Sequence, residues 1–294
     1  GNLVIDSVEG GTLVSHGLSN VTHARGDVPL KHYTLEVLPN QKSVTLAYHG
    51  KIDHAVQQPG QAYARSSGYT PGVISVQGVF LANSSVWYPR FDHPLVSFRL
   101  NITLPKGWDV VSQGQLTKDE ITKKGKVVVW EESNPQDDIY LVAGRYKRYT
   151  QLISDSTEAM VYLRRADEAL AKKYLDTTGQ YIEMYNTLLG AYPYSKFALV
   201  ENFWETGYGM PSFTLLGPRV IRFPFILHSS YPHEILHNYW GNGVFVDYSK
   251  GNWSEGLTAY LADHLVSEQN GKGIEYRRDV LQKFTDSVSK GKDF

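Results

Sequence analysis

Cysteine is absent from the 294 residues, which excludes disulfides, thiolate metal ligands and cysteine nucleophiles together. Any bound metal must use His, Asp or Glu. An excess of either charge is also missing: 30 acidic residues stand against 29 basic ones, and neither sign forms a long run. No nucleic-acid groove or basic membrane-binding face is therefore expected. No apolar run approaches the roughly 18 residues of a membrane span, so no span is expected. The opening GNLVIDSVEGGTLVSHG has neither the basic start nor the apolar core of a signal peptide. The chain reads as soluble. Its start at Gly1 rather than Met suits a mature exported protein or a trimmed chain, and a periplasmic or secreted setting is favoured over the cytoplasm. Oligomeric state is left open.

What is present is enough for a globular protein of two domains, with 41% hydrophobic residues and a net charge of −1. Up to about residue 150 the chain reads as short alternating segments broken by Gly, Pro, Asn and Asp: HYTLEVLP, SVTLAYHG, GVISVQGVFL, LVSFRLNITLP, KVVVWEES and IYLVAGRYKRY. Their β-branched content and spacing predict an antiparallel sandwich or saddle of six or more strands over residues 1–150. Beyond Gln151 the period changes. ADEALAKKYLDTTGQYIEMYNTLLG places Leu170, Tyr174, Tyr181, Met184, Tyr185 and Leu188 at helical spacing and closes on Gly190. A second domain, 151–294, is expected, giving an α+β fold overall. Within it SEGLTAYLADHLVSEQNG predicts a helix with Leu257, Tyr260, Leu261, His264 and Leu265 as its buried stripe.

The segment YPHEILHNYWGN sets His233, Glu234 and His237 within five residues. On a helix, residues four apart lie one above the other, so the two imidazoles can aim at one point, with Glu234 about 100° round. Two neutral imidazoles on a zinc ion, with the intervening carboxylate taking a proton from an activated water, is the arrangement of a zinc metallopeptidase. The competing reading is a chance pair of histidines on a helix face. Ser229 or Ser230 would cap that helix. A third ligand is needed, and Glu255 in GNWSEGLTAYLADHL can supply it from the next helix. Asn252 with Glu255 also fits a capping box there. Asp247 and Asp263 are candidates for the carboxylate that orients a ligand histidine. His228 and His264 read as ordinary histidines.

HEILHNYWGN followed by NWSEGLTAYL resembles the zinc site of the aminopeptidase N and leukotriene hydrolase family, with Tyr239, Trp240, Gly241 and Asn242 after the histidine pair and Ser254, Glu255, Gly256 opening the next helix. WYPRFDHPLVSFRLNITLPKGWDVVSQGQ and LLGAYPYSKFALV are similar to further parts of that family, so the likeness runs from about Tyr33 onward. It implies one zinc ion held by His233, His237 and Glu255, Glu234 as general base, peptide substrates, and a thermolysin-like catalytic domain behind the β domain. The gap from His237 to Glu255 is one residue shorter than the family's usual one.

Two departures stand out. Family members carry Gly-Ala-Met-Glu-Asn on an edge strand, where the glutamate binds the substrate α-amine. The counterpart here is Tyr208, Gly209, Met210, Pro211, Ser212, and Pro211 has no charge and removes an N–H from a strand that would pair with substrate. Glu201 or Glu205 could supply the carboxylate from a displaced position; each also reads as a solvated loop charge. Tyr208, Gly209 and Met210 are candidates for substrate contact. The family's oxyanion-binding tyrosine lies well beyond the third ligand, whereas only 39 residues follow Glu255, and Tyr276 comes too early to be it. A C-terminally incomplete member of the family, which need not be active alone, is the expectation. The expected activity is a zinc peptidase acting on peptide N-termini; a peptidase without N-terminal preference and a non-catalytic peptide-binding relative are the rivals.

Overall fold

The computed structural model describes residues 2–23, 26–57, 68–91 and 95–291. Asp92 and Pro94, in the turn that resembles the family's, lie outside the described residues. The chain divides into two compact units, Gly1–Tyr146 with Phe203–Thr206, and Lys147–Asn202 with Gly207–Phe294.

The described part of the first unit is built of strands, with a 3₁₀ turn at Asn83–Ser85. In chain order they are β1 (Asn2–Glu9), β2 (Gly11–His23), β3 (Gly26–Val37), β4 (Thr45–Lys51), β5 (Gly72–Ile74), β6 (Val79–Leu81), β7 (Val96–Leu104), β8 (Asp109–Val111), β9 (Gln115–Ile121), β10 (Lys126–Gln136) and β11 (Leu141–Gly144). Among the described residues they form four antiparallel sheets: β1 with β4, β2 with β3, β7-β10-β9, and β5-β6-β11-β8. GVISVQGVFL, which reads from sequence as one strand, is two, because the Ser75 amide and hydroxyl both donate to the Gly78 carbonyl and close a turn. The core sits under β8, β10 and β11, where Val110, Val128, Trp130 and Val142 are fully buried and the Trp130 indole N–H donates to the Val110 carbonyl at 3.1 Å.

The second unit begins with β12 (Lys147–Ser154) and β13 (Thr157–Leu163), followed by α1 (Glu168–Leu189), β14 (Lys196–Glu201), β15 (Gly207–Met210) and β16 (Phe213–Leu216). Its five-stranded sheet runs β12-β13-β14-β16-β15, with β14 parallel to β13 and to β16, and β15 antiparallel on the edge. Asp167 caps α1 by accepting from the Leu170 amide at 3.0 Å, and Gly190 ends it at φ +103°. Leu188, placed on the inner face by its spacing, is exposed; the buried face is Ala171, Tyr174, Leu175, Thr178, Ile182 and Tyr185.

Four more helices follow among the described residues: α2 (Ser230–Leu236), α3 (Trp253–Thr258), α4 (Leu265–Gln269) and α5 (Gly273–Ser289), with π-helical Ala259–His264 joining α3 to α4. The expected stripe on this segment is corrected. Its buried residues are Ser254, Thr258, Ala262 and Val266, each four apart, whereas Leu257 and Tyr260 are 39% and 61% exposed. Small residues on the inward face let two helix backbones approach closely, and this turns Glu255 and Asp263 toward α2. No described helix is long and apolar enough to cross a membrane.

Tyrosines hold α2 in place. Tyr174, Tyr185, Tyr192, Tyr194, Tyr231 and Tyr239 are all buried, and each hydroxyl has a partner. Tyr174 donates to the Ile221 carbonyl (2.8 Å), Tyr185 to that of Leu261 (3.3 Å), Tyr192 to that of Lys196 (3.1 Å), Tyr194 to that of Asn242 (2.9 Å), and Tyr239 to Asn186 Oδ1 (3.0 Å). Thr178 gives its single proton to the Tyr174 carbonyl at 2.6 Å, so Tyr231 must be the donor in the 2.6 Å bond between Tyr231 and Thr178. Burial raises the phenol pKa of Tyr231, Tyr185 and Tyr174, keeping them neutral donors. Tyr231→Phe is expected to cost about 1 kcal/mol and Tyr231→Ala about 3–5 kcal/mol, read as a shift in urea midpoint, because the second also opens a cavity beneath α2.

Candidate metal centre

His233 and Glu234 lie on α2, which is short and carries Pro232 in its first turn, where the missing N–H is harmless. The expected serine cap is not made: Ser229 holds the N-cap position without a side-chain bond, and its hydroxyl donates to the Phe225 carbonyl instead, at 2.9 Å. His237 follows directly, and the chain then closes on Trp240, Gly241 and Asn242. Gly241 sits at φ +100°, the Asn242 amide donates back to the His237 carbonyl at 3.1 Å, and the Gly241 amide donates to the Val244 carbonyl at 2.9 Å. The Trp-Gly-Asn run therefore closes the turns that follow the helix. It also delivers a carbonyl: Trp240 O accepts from His237 Nδ1 at 3.4 Å and from the Ser254 hydroxyl at 3.1 Å.

The two imidazole rings cross at 76° with centroids 4.7 Å apart. His233 Nε2 is 3.4 Å from one oxygen of Glu255, and His237 Nε2 is 3.4 Å from the other. One ligand atom from each of the three residues lies within 4.8 Å of the others. Zinc–nitrogen and zinc–oxygen bonds of about 2.0–2.1 Å in a tetrahedron put neighbouring ligand atoms about 3.4 Å apart, so the observed spacing fits a zinc ion. Tautomers agree. His233 Nδ1 meets both oxygens of Asp263 at 3.3 Å, and His237 Nδ1 meets the Trp240 carbonyl, so each Nδ1 carries the proton and each Nε2 presents its lone pair inward.

Burial lowers the pKa of His237, with the neighbouring His233 adding to the effect. At His233 burial acts downward too, but the hydrogen bond and charge of Asp263 outweigh it and the pKa rises. Glu234 is pushed up to about 7, by burial first, with Glu255 and Asp263 adding and His233 opposing. A carboxyl with a pKa near neutrality can both take and return a proton. Its position is set by β15: a side chain on Gly209 would run into Glu234 Oε2 and approach His237, so only glycine leaves room for the carboxylate.

The other expected site residues have separate fates. The capping box at Asn252 is absent, since Asn252 makes no side-chain cap bond and Glu255 faces the histidines instead. Asp263 is the carboxylate behind His233, whereas Asp247 is exposed and caps a 3₁₀ turn through Ser249. Glu201 is neither solvated nor free: it is buried at the end of β14, accepting from the Arg222 guanidinium at 2.7 Å and the Arg164 amide at 2.8 Å. Glu205 belongs to the first unit, where its carbonyl accepts from the Gly68 amide. Tyr208 and Gly209 are on the edge strand and Met210 is buried at its end. Pro211 is not in the strand. It occupies the two-residue turn to β16, ahead of Ser212 at φ +66°, a pairing that suits Pro at the first and a left-handed residue at the second turn position. Pro211 therefore leaves the edge of β15 intact. His228 is exposed, and His264 Nε2 is held at 2.6 Å by Arg277. Tyr276 packs its ring on His264. The contact of Gly209 with Glu234 and the role of the Trp240 carbonyl carry no signal in the sequence beyond the residues themselves.

No protein-family model and no curated protein matches the sequence. Solved structures do match the fold. An M1 zinc metallopeptidase from Deinococcus radiodurans is similar over 97% of this chain and 65% of its own, with a TM-score of 0.63 and 15% identity. A mutant of it bound to a Tyr-Ser-Ala substrate gives the same values. Native yeast LTA4 hydrolase is similar over 98% of this chain and 46% of its own, with a TM-score of 0.65 and 14% identity. The chain thus spans about two thirds of the length of the first and under half of the second. At such identities the likeness establishes the fold alone.

Removing the carboxylate behind His233 tests the centre without touching a ligand. Asp263→Ala is expected to weaken zinc affinity about 10- to 100-fold in chelator competition, with one zinc still bound at saturation.

Proposed function

We propose that this chain carries the zinc centre and general base of a metallopeptidase. The observation that supports the reading best is the convergence of His233 Nε2, His237 Nε2 and both Glu255 oxygens, with Glu234 held beside them by the bare backbone of Gly209. Zinc bound by these three residues would supply a Lewis acid that polarises a substrate carbonyl and acidifies water. Glu234 accepts the proton of the attacking water and returns it to the leaving amine; its burial disfavours the charged form and so favours the return of that proton. Edge strand β15 has one side unpaired within its sheet and can take an extended peptide by strand addition, which would lay the scissile bond alongside Glu234.

Two observations favour a peptidase that does not require a free N-terminus over an aminopeptidase. Pro211 replaces the amine-binding glutamate of the family it resembles, and Glu201 is already engaged by Arg222 and the Arg164 amide. Zinc-loaded protein assayed on amino-acid anilides and on N-blocked peptides separates the two readings: turnover of blocked peptides is expected, and activity confined to free N-termini would restore the aminopeptidase reading.

Glu234→Gln should keep one zinc and lose about 10²- to 10⁴-fold in turnover; retained turnover would remove Glu234 as the base. Gly209→Ala should fold and bind zinc normally, since the new methyl meets only the flexible end of Glu234, yet lose about 10- to 100-fold in turnover because that end is displaced.

A further inference from the structure

Lys196 opens the inner strand β14 and is 1% exposed. A lysine is almost never buried to this degree unless its ammonium has specific partners, because removing the charge from water is costly. Its Nζ donates to the Ser212 hydroxyl at 2.7 Å and to the Ser212 carbonyl at 3.2 Å, and it lies 5.4 Å from the centre of the Phe213 ring. All of these partners belong to the turn that joins β15 to β16 and to its first residue beyond.

Ser212 is itself unusual. It is fully buried and holds φ +66°, a left-handed conformation that is strained for a non-glycine residue and persists only where the surroundings fix it. Every polar atom of Ser212 is used. Besides the two bonds from Lys196, its carbonyl accepts from the Ala198 amide at 3.0 Å, and its amide donates to Asn238 Oδ1 at 2.6 Å. Asn238, also fully buried, donates through Nδ2 to the carbonyls of Glu234 (3.2 Å) and Ile235 (3.1 Å). An unbroken run of buried hydrogen bonds therefore leads from the ammonium of Lys196, through the turn, to the backbone of the general base. The same turn fixes the end of β15, whose Gly209 lies against the Glu234 carboxylate.

We propose that Lys196 is a positioning residue: acting through Ser212 and Asn238, it sets the distance between edge strand β15 and Glu234. This deepens the metallopeptidase reading and rests on it for its effect on turnover, though not for its effect on the turn. The run of bonds ends on the α2 backbone at Glu234 and Ile235 and contacts no side chain of His233, His237 or Glu255, so metal affinity is expected to change far less than turnover.

Lys196→Met keeps an unbranched side chain as far as the ε position and removes the donors. In the 294-residue chain loaded with zinc, three results are expected. Zinc affinity stays within about twofold. Amide exchange at Ser212 and Ala198 speeds up by about tenfold or more, reporting release of the turn. In peptide hydrolysis kcat falls by about 10- to 100-fold while KM changes little, since the base is misplaced and the surface that binds substrate stays intact. Val161→Ala in β13, on the far side of β14 from the turn, serves as a control for general loss of stability and should leave kcat and the Ser212 amide unchanged. Ser212→Ala, which removes only the hydroxyl, gives a smaller shift in the same direction and covers the case in which Lys196→Met does not fold.

Unchanged exchange at Ser212 in the folded variant, or an equal loss of kcat in the Val161→Ala control, overturns the proposal. If the zinc-loaded parent hydrolyses no peptide, the metallopeptidase reading fails for this chain by itself, and the Ser212 exchange rate alone still decides whether Lys196 holds the turn.

Discussion

Everything at the candidate centre depends on two imidazoles being held with their Nε2 lone pairs inward. That orientation is imposed from behind, by Asp263 on His233 and by the Trp240 carbonyl on His237. Without these partners the rings could rotate or take the other tautomer, and the 3.4 Å approaches to Glu255 would have no consequence for a metal. The fold serves this arrangement. The turn at Gly241 brings the Trp240 carbonyl round, and the π-helical stretch after α3 carries Asp263 opposite His233. Extra-turn insertions of this kind tend to occur where a side chain must be re-aimed for function.

Placement of α2 rests in turn on an aromatic core whose hydroxyls find partners. Six buried tyrosines combine large apolar contact with directional anchoring, which fixes both the depth and the rotation of a helix only seven residues long. A helix this short has little stability of its own and takes its conformation from what it packs against. On its other side the Asn238–Ser212–Lys196 bonds tie it to the edge of the sheet. Glu234 and the edge strand are thus held by one buried polar network, which is strong only while all its members are satisfied.

The candidate ligand set is legible in the sequence because it is local: a four-residue spacing on one helix and a carboxylate opening the next. Asp263 is legible as one of two candidates, but sequence does not separate it from Asp247, since only the π-helical turn aims it at His233. Glu201 reads as a solvated charge because its partner Arg222 is 21 positions away and only the folded sheet brings the two together. Pro211 reads as part of the strand for want of any sign that the chain turns there; the sign is Ser212, whose left-handed conformation shows only in three dimensions. The inward face Ser254, Thr258, Ala262, Val266 escapes the pattern because small residues carry little hydrophobic signal, and larger neighbours at Leu257 and Tyr260 outweigh them. Lys196 gives no signal at all, since a buried lysine and a surface lysine look alike in sequence.

X-ray absorption at the zinc edge, on protein carrying one equivalent of zinc, tests the central claim most directly. The expected spectrum shows two imidazole ligands with oxygen donors completing a four-coordinate shell at about 2.0 Å. A shell without imidazole scattering, or one that is unaltered when Glu255 and both histidines are replaced together, would contradict it.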